Sequence, residues 1–152
     1  MKKTCLLLSA ITILSLVSQV RGAEWLSIGK DRVGNELFYD REILIKRSTD
    51  IIEVWMKGIY SDEGRKARMQ ERIRSKATVE RYEKLSYSLE LQEIDCAKRH
   101  FRIMAYTDYS SDEGILYKFI SEQNPSEGWE PIAPDSMGEK IYQTVCPQRG
   151  KK

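Results

Sequence analysis

The chain has 152 residues, enough for one domain, and carries a formal charge of +2 at pH 7. Lys2, Lys3 and Arg21 lie in an N-terminal segment without acidic residues, and removal of residues 1–22 lowers the formal charge to −1. The overall charge therefore gives no reason to expect a nucleic-acid partner, and the single histidine leaves little material for acid–base catalysis.

The first 22 residues have the pattern of a secretory signal peptide. Two lysines precede an apolar run over 6–17, and Val20-Arg21-Gly22 fits a cleavage site before Ala23. A retained membrane anchor is the alternative, but the run is shorter than the about 20 residues that span a bilayer. We therefore predict a signal peptide over 1–22, an exported protein, and no stable membrane span after cleavage.

Alternating apolar and polar residues predict a sheet of roughly six antiparallel strands. A period of two indicates a strand with one buried face, as in the run from Leu85 to Gln92. In the third strand, Ile52, Val54 and Met56 share one face, and Trp55 lies on the other. The predicted strands cover 25–28, 37–40 with a continuation or separate piece at 43–45, 50–57, 85–92, 101–109 and 115–120.

Two helices complete a predicted α+β fold. The basic segment 65–81 has no proline or internal glycine, and Met69, Ile73 and Ala77 form a narrow apolar stripe, which predicts a helix inserted between the third and fourth strands. Near the C-terminus, Ser136 and Glu139 have capping-box spacing ahead of a short apolar-sided helix. The basic tail 147–152 is predicted to be disordered.

Cys96 and Cys146 remain after the predicted cleavage. An even number of cysteines in an exported chain indicates a disulfide. The alternatives are two free thiols, or half of a metal site with His100, which follows Cys96 by four residues.

The sequence predicts no catalytic residue, no cofactor and no metal site. It contains no nucleophile elbow, phosphate-binding loop or metal-ligand cluster, and His100 stands alone on a predicted strand. A binding protein is the better interpretation.

The best candidate binding surface is the basic ridge, defined as Arg65, Arg68, Arg72 and Lys76. These residues share one side of the predicted helix and can attract a protein or an anionic glycan, although a solvated helix face is the alternative. Tyr106 is a further candidate, since strict alternation points it away from Phe101 and Ile103. An exposed edge strand can also pair with a second copy to give a homodimer.

Several motifs resemble the surface-adhesin E family of Gram-negative bacteria. The resemblance covers most of 25–146, and the basic helix fits it least well. It is carried by Glu93-Ile94-Asp95-Cys96, Lys98-Arg99, Tyr109, Gly114, the run from Trp129 to Ser136, Tyr142 and Val145-Cys146.

The resemblance implies a sheet of about six strands in a domain over 23–146, with a C-terminal helix tied to the sheet by the Cys96–Cys146 disulfide. It also implies a location in the periplasm or on the outer cell surface, and binding to matrix or serum proteins such as vitronectin and laminin. The alternative is a periplasmic envelope-accessory or structural protein without a host ligand.

Overall fold

Strands follow one another in chain order across a single antiparallel sheet. The computed structural model describes residues 22–122 and 127–146, so most of the predicted signal peptide and the predicted basic tail lie outside the described residues. The described elements are β1 (Trp25–Lys30), β2 (Glu36–Lys46), β3 (Ile51–Ile59), α1 (Asp62–Arg74), β4 (Leu85–Asp95), β5 (His100–Ser110), β6 (Ile115–Ile120), β7 (Glu130–Pro131) and α2 (Met137–Val145). The predicted α+β class and antiparallel sheet are confirmed.

The sheet has the order β1-β2-β3-β4-β5-β6, and the two-residue β7 pairs with β5 beyond the end of β6. Every neighbouring pair is antiparallel. The two pieces predicted at 37–40 and 43–45 belong to one strand, β2, whose pairing with β3 is irregular between Tyr39 and Leu44.

The main apolar core lies between one face of the sheet and α2. Val54 and Met56 of β3 lie in this core, which confirms the facing predicted for that strand. The other buried members are Ile94, Ile132, Ile141, Val145 and Cys146. We call this side of the sheet the helical face, because α1 also packs on it, over β4 and β5.

The disulfide between Cys96 and Cys146 is confirmed, with 5.6 Å between the two Cα atoms. It joins the turn after β4 to the end of α2. The helix begins as predicted, since the Ser136 hydroxyl accepts from the Glu139 amide at 3.1 Å. The Glu139 carboxylate accepts from the Asp135 amide at 2.7 Å, one residue before the cap.

The first helix differs from its prediction in extent. It begins at Asp62 rather than Arg65, because the Ser61 hydroxyl caps the Gly64 amide at 2.9 Å. It ends at Arg74 rather than residue 81, and Lys76 then adopts a positive φ of 57°. A short 3-10 turn, Tyr82–Lys84, leads into β4.

The facing of α1 also differs from its prediction. Ile73, a member of the predicted apolar stripe, is 51% exposed, whereas Arg72 is only 5% exposed. The helical face carries Tyr106 and Asp108 beneath this helix, so cations find better partners there than aliphatic side chains do. The start of α1 approaches the β1–β2 turn so closely that a Cβ on Gly64 would lie 1.7 Å from Asn35 Oδ1.

None of the helices in the described ranges is long and apolar enough to cross a membrane.

Candidate functional site

Three of the four residues of the predicted basic ridge are occupied in holding α1 against the sheet. Arg65 Nε donates to the Leu85 carbonyl at 2.8 Å. Arg68 Nη1 donates to Glu71 at 2.8 Å, and its Nη2 lies 3.6 Å from Asp108 Oδ2.

Arg72 Nε donates to the carbonyl oxygen of Thr78 at 2.7 Å. Lys76, beyond the end of α1, is exposed. The four cations therefore do not form one exposed ridge, and their predicted role in binding a ligand stays a prediction.

Tyr106 lies on the helical face, contrary to the facing that strict alternation predicts. Tyr106 pairs with Glu90 and Phe101 pairs with Ile94, and these two β4 residues share one face. The reason is a register shift that leaves Met104 as an extra residue, because Ile103 pairs with Gln92 and Ala105 with Leu91. Such a bulge reverses the facing of every later residue.

A chain of hydrogen bonds surrounds the fully buried carboxylate of Asp108. The Tyr82 hydroxyl donates to Asp108 Oδ2 at 2.7 Å, and the Tyr106 hydroxyl donates to Oδ1. The hydroxyls of Tyr60 and Tyr106 share a hydrogen bond of 2.9 Å. Burial, together with the negative charge of Asp108, raises the pKa of Tyr60 and Tyr82. These tyrosines therefore remain neutral donors at physiological pH.

Glu90 extends this polar cluster along β4. Burial raises the pKa of its carboxyl group, while a hydrogen bond from the Gln92 amide and the charge of Arg68 act in the opposite direction. Sequence reasoning missed this cluster, because its members come from five separate parts of the chain: the residue after β3, β4, β5, the 3-10 turn and α1. Of its members, the sequence indicates only Arg68 and Tyr106 as candidate binding residues.

The other side of the sheet, which we call the open face, has neither described helix packed on it. Its central row runs across four strands in register, through Lys57, Leu89, Thr107 and Lys118. The next row contains Trp55, Leu91, Ala105 and Ile120. Most of these side chains are half-buried, and Ile120 and Lys118 are exposed. Apolar and basic groups therefore remain accessible to a partner.

Aromatic rings surround Lys57 on the open face. Its ammonium nitrogen lies 4.9 Å from the centre of the Tyr87 ring and 5.9 Å from that of Trp25. Tyr87 also stacks on Tyr109, with 4.7 Å between ring centroids. Burial and the hydrogen bond to Glu113 raise the pKa of Tyr87 to about 12. In the sequence, Trp55 on a polar-looking strand face indicates that this face is partly covered, and nothing there indicates the group of rings around Lys57.

Ion pairs close one end of the open face. Arg47 donates to both carboxylate oxygens of Glu53, and Arg102 Nη2 donates to Glu93 at 2.5 Å. The Arg102 guanidinium lies 4.6 Å from the centre of the Trp129 ring, so the segment before α2 is fixed to the sheet there. The charges at this end of the open face are neutralised by these pairs, unlike the charges of Lys57 and Lys118 in the central row.

No cluster of histidine, cysteine and acidic residues in the described ranges has the arrangement of a metal site. His100 Nδ1 lies 2.7 Å from the Lys98 carbonyl oxygen, a contact within its own turn.

Comparison with known proteins identifies a family that matches the described fold. No curated protein matches the chain. The family model for surface-adhesin protein E matches residues 25–147, a range that contains every described strand and both described helices. The family is one of adhesin-type binding modules with an exported or surface location. Because the match covers most of the sequence, the chain belongs to the surface-adhesin protein E family.

Proposed function

We propose that this protein is an exported, non-catalytic module that recognises an extracellular protein, such as a matrix or serum protein, through its open face. The observation that carries the proposal is the half-exposed apolar and aromatic surface on β3, β4 and β5, which neither described helix covers. Large apolar patches rimmed by polar residues mark interaction sites on proteins. Aromatic residues such as Trp55 and Tyr87 are also enriched among the residues that dominate binding energy.

Charge favours a partner that carries carboxylates. Lys57 and Lys118 have no acidic group within salt-bridge distance among the described residues. Three strand spacings separate their Cα atoms, a distance of about 14 Å. An acidic protein surface with apolar side chains between its carboxylates is complementary to this row. Charge complementarity of this kind raises association rates and makes binding sensitive to salt.

The first experiment measures binding of immobilised vitronectin and laminin to wild-type protein and to two open-face variants. Lys57→Glu/Lys118→Glu reverses the charge of the central row, and Trp55→Ala removes a half-exposed indole ring from the open face. We expect each variant to weaken binding at least about tenfold, which corresponds to about 1.4 kcal/mol. The matched control, Lys66→Glu/Arg74→Glu, reverses two exposed cations of α1 and should bind as wild type does.

Accessibility on cells separates this proposal from the rival role as a periplasmic envelope-accessory or structural protein. Protease added to intact cells should cleave a surface-exposed protein. Protection until the outer membrane is opened, together with no binding to matrix or serum proteins, would support the rival. Equal binding by the open-face variants and the control would show that another surface is used.

A further inference from the structure

A cavity of about 550 Å³ lies between α1 and the helical face, on the opposite side of the sheet from the open face. Its volume falls within the range of small-molecule sites. Ser88 and Glu90 of β4 contribute to its wall, together with Tyr106 of β5, Tyr60, and Arg68 of α1. Four separate parts of the chain thus bring hydrogen-bonding groups to one space.

The cavity wall offers both donors and acceptors. Arg68 Nε is buried and has no hydrogen-bond partner among the described residues. A buried donor without an acceptor costs free energy, and a ligand oxygen recovers it once the Arg68 side chain turns Nε toward the cavity, because this atom is not exposed in its present position. The Glu90 carboxyl group accepts from Gln92 through one oxygen only, Oε1, among the described contacts. A ligand group that both accepts and donates hydrogen bonds would match this pair.

Charge argues against an anionic ligand. Asp31, Glu71 and Glu90 line the cavity, against Arg68 and Arg74. Arg68 is already engaged with Glu71 and close to Asp108. An additional negative charge would therefore meet more carboxylates than free cations. Neutral hydroxyl groups avoid this repulsion and can act as donors and acceptors together.

We propose that this cavity binds a neutral, polyhydroxylated ligand of the size of one sugar residue, such as the end of an uncharged glycan. One ligand hydroxyl accepts from Arg68 Nε, and a neighbouring hydroxyl donates to Glu90. Small apolar contacts come from Leu37, Gly58 and Ala67, which also line the cavity. The inference goes beyond protein recognition by the open face and does not depend on it.

The test is saturation-transfer NMR of the purified protein with methyl glycosides of neutral hexoses and N-acetylhexosamines. We expect at least one neutral glycoside to bind. Glu90→Met, which keeps the side-chain length but removes both carboxylate oxygens, and Arg68→Lys, which keeps the charge but lacks Nε, should each raise its Kd about tenfold. The control Glu83→Gln alters an exposed residue of the 3-10 turn and should leave the Kd unchanged.

Thermal unfolding of each variant identifies any that fails to fold. If Arg68→Lys does not fold, the comparison of Glu90→Met with wild type decides the result. The proposal is overturned if no neutral glycoside binds at millimolar concentration, if only sialic or uronic acids bind, or if the folded variants bind as wild type does. Any of these results leaves protein recognition by the open face untouched.

Discussion

Arg72 occupies a position that an apolar residue usually takes at a helix–sheet contact. Its guanidinium lies 4.5 Å from the centre of the Tyr82 ring and 4.6 Å from that of Tyr117. Its Nε donates a hydrogen bond to the carbonyl oxygen of Thr78, in the segment after α1. Cations over aromatic rings gain most when they are removed from water, as this one is. The side chain therefore fixes both the end of α1 and the chain that leaves it.

Replacing Arg72 with alanine should destabilise the protein by about 2–4 kcal/mol, because a charged hydrogen bond and two ring contacts are lost together. Urea unfolding followed by circular dichroism measures the change. Arg74→Ala, an exposed cation on the same helix, should change stability by less than about 0.5 kcal/mol. Equal stability of the two variants would contradict the structural role assigned to Arg72.

At the scale of single elements, α2 is too short to be stable by itself. The helix has nine residues and one apolar side, from which Ile141 and Val145 enter the core. The disulfide holds its C-terminal end. The two cysteines are 50 positions apart in sequence, and closing a loop of that length stabilises a fold by about 4 kcal/mol on the chain-entropy model. Covalent and apolar contacts thus fix the same helix.

Reduction of the disulfide should lower the free energy of unfolding by about 4 kcal/mol. The urea midpoint, measured with and without reductant, reports the loss. The variant Cys96→Ser/Cys146→Ser should have the lower urea midpoint from the start, and reductant should not change that midpoint. An unchanged midpoint in wild-type protein whose two thiols are demonstrably free would contradict this expectation.

Elements whose pattern is local were predictable from the sequence, and those that depend on distant partners were not. The alternation in β3 and β4 and the Ser136 cap identified strands and the start of α2. The bulge at Met104 has no mark in the local alternation, and it moves Tyr106 to the helical face. The apolar stripe through Ile73 predicted the wrong side of α1, since the polar surface beneath that helix becomes visible only when the strands are paired.

The described residues form a two-layer structure with both helices on one side of the sheet, and the edge strands of that sheet are β1, β6 and the two-residue β7. The β6 edge is notably apolar, since Ile115 is 57% exposed and Ile120 is 59% exposed. Unpaired backbone groups beside apolar side chains favour pairing with another strand. This is the edge that best suits the homodimer predicted from the sequence.

Sedimentation velocity over a range of concentrations tests that dimer. If β6 pairs with β6 of a second copy, Ile115→Lys/Ile120→Lys should shift the protein to monomer, because like charges then meet at the new contact. Ile73→Lys, which changes an exposed isoleucine on α1, should leave the association unchanged. Wild-type protein that is monomeric at every concentration would refute the edge-strand dimer.

The simple strand order has a consequence for how the chain acquires its structure. Each of the first six strands pairs with its neighbours in the chain, so the sheet needs few distant encounters to form, a property of fast-folding topologies. A chain delivered N-terminus first can therefore complete β1 to β6 before α2 arrives. Cys146 stands at the very end of the described domain. Oxidation can then join Cys96 to Cys146 only after the last helix has been delivered. The disulfide therefore forms late and stabilises a sheet that is already assembled.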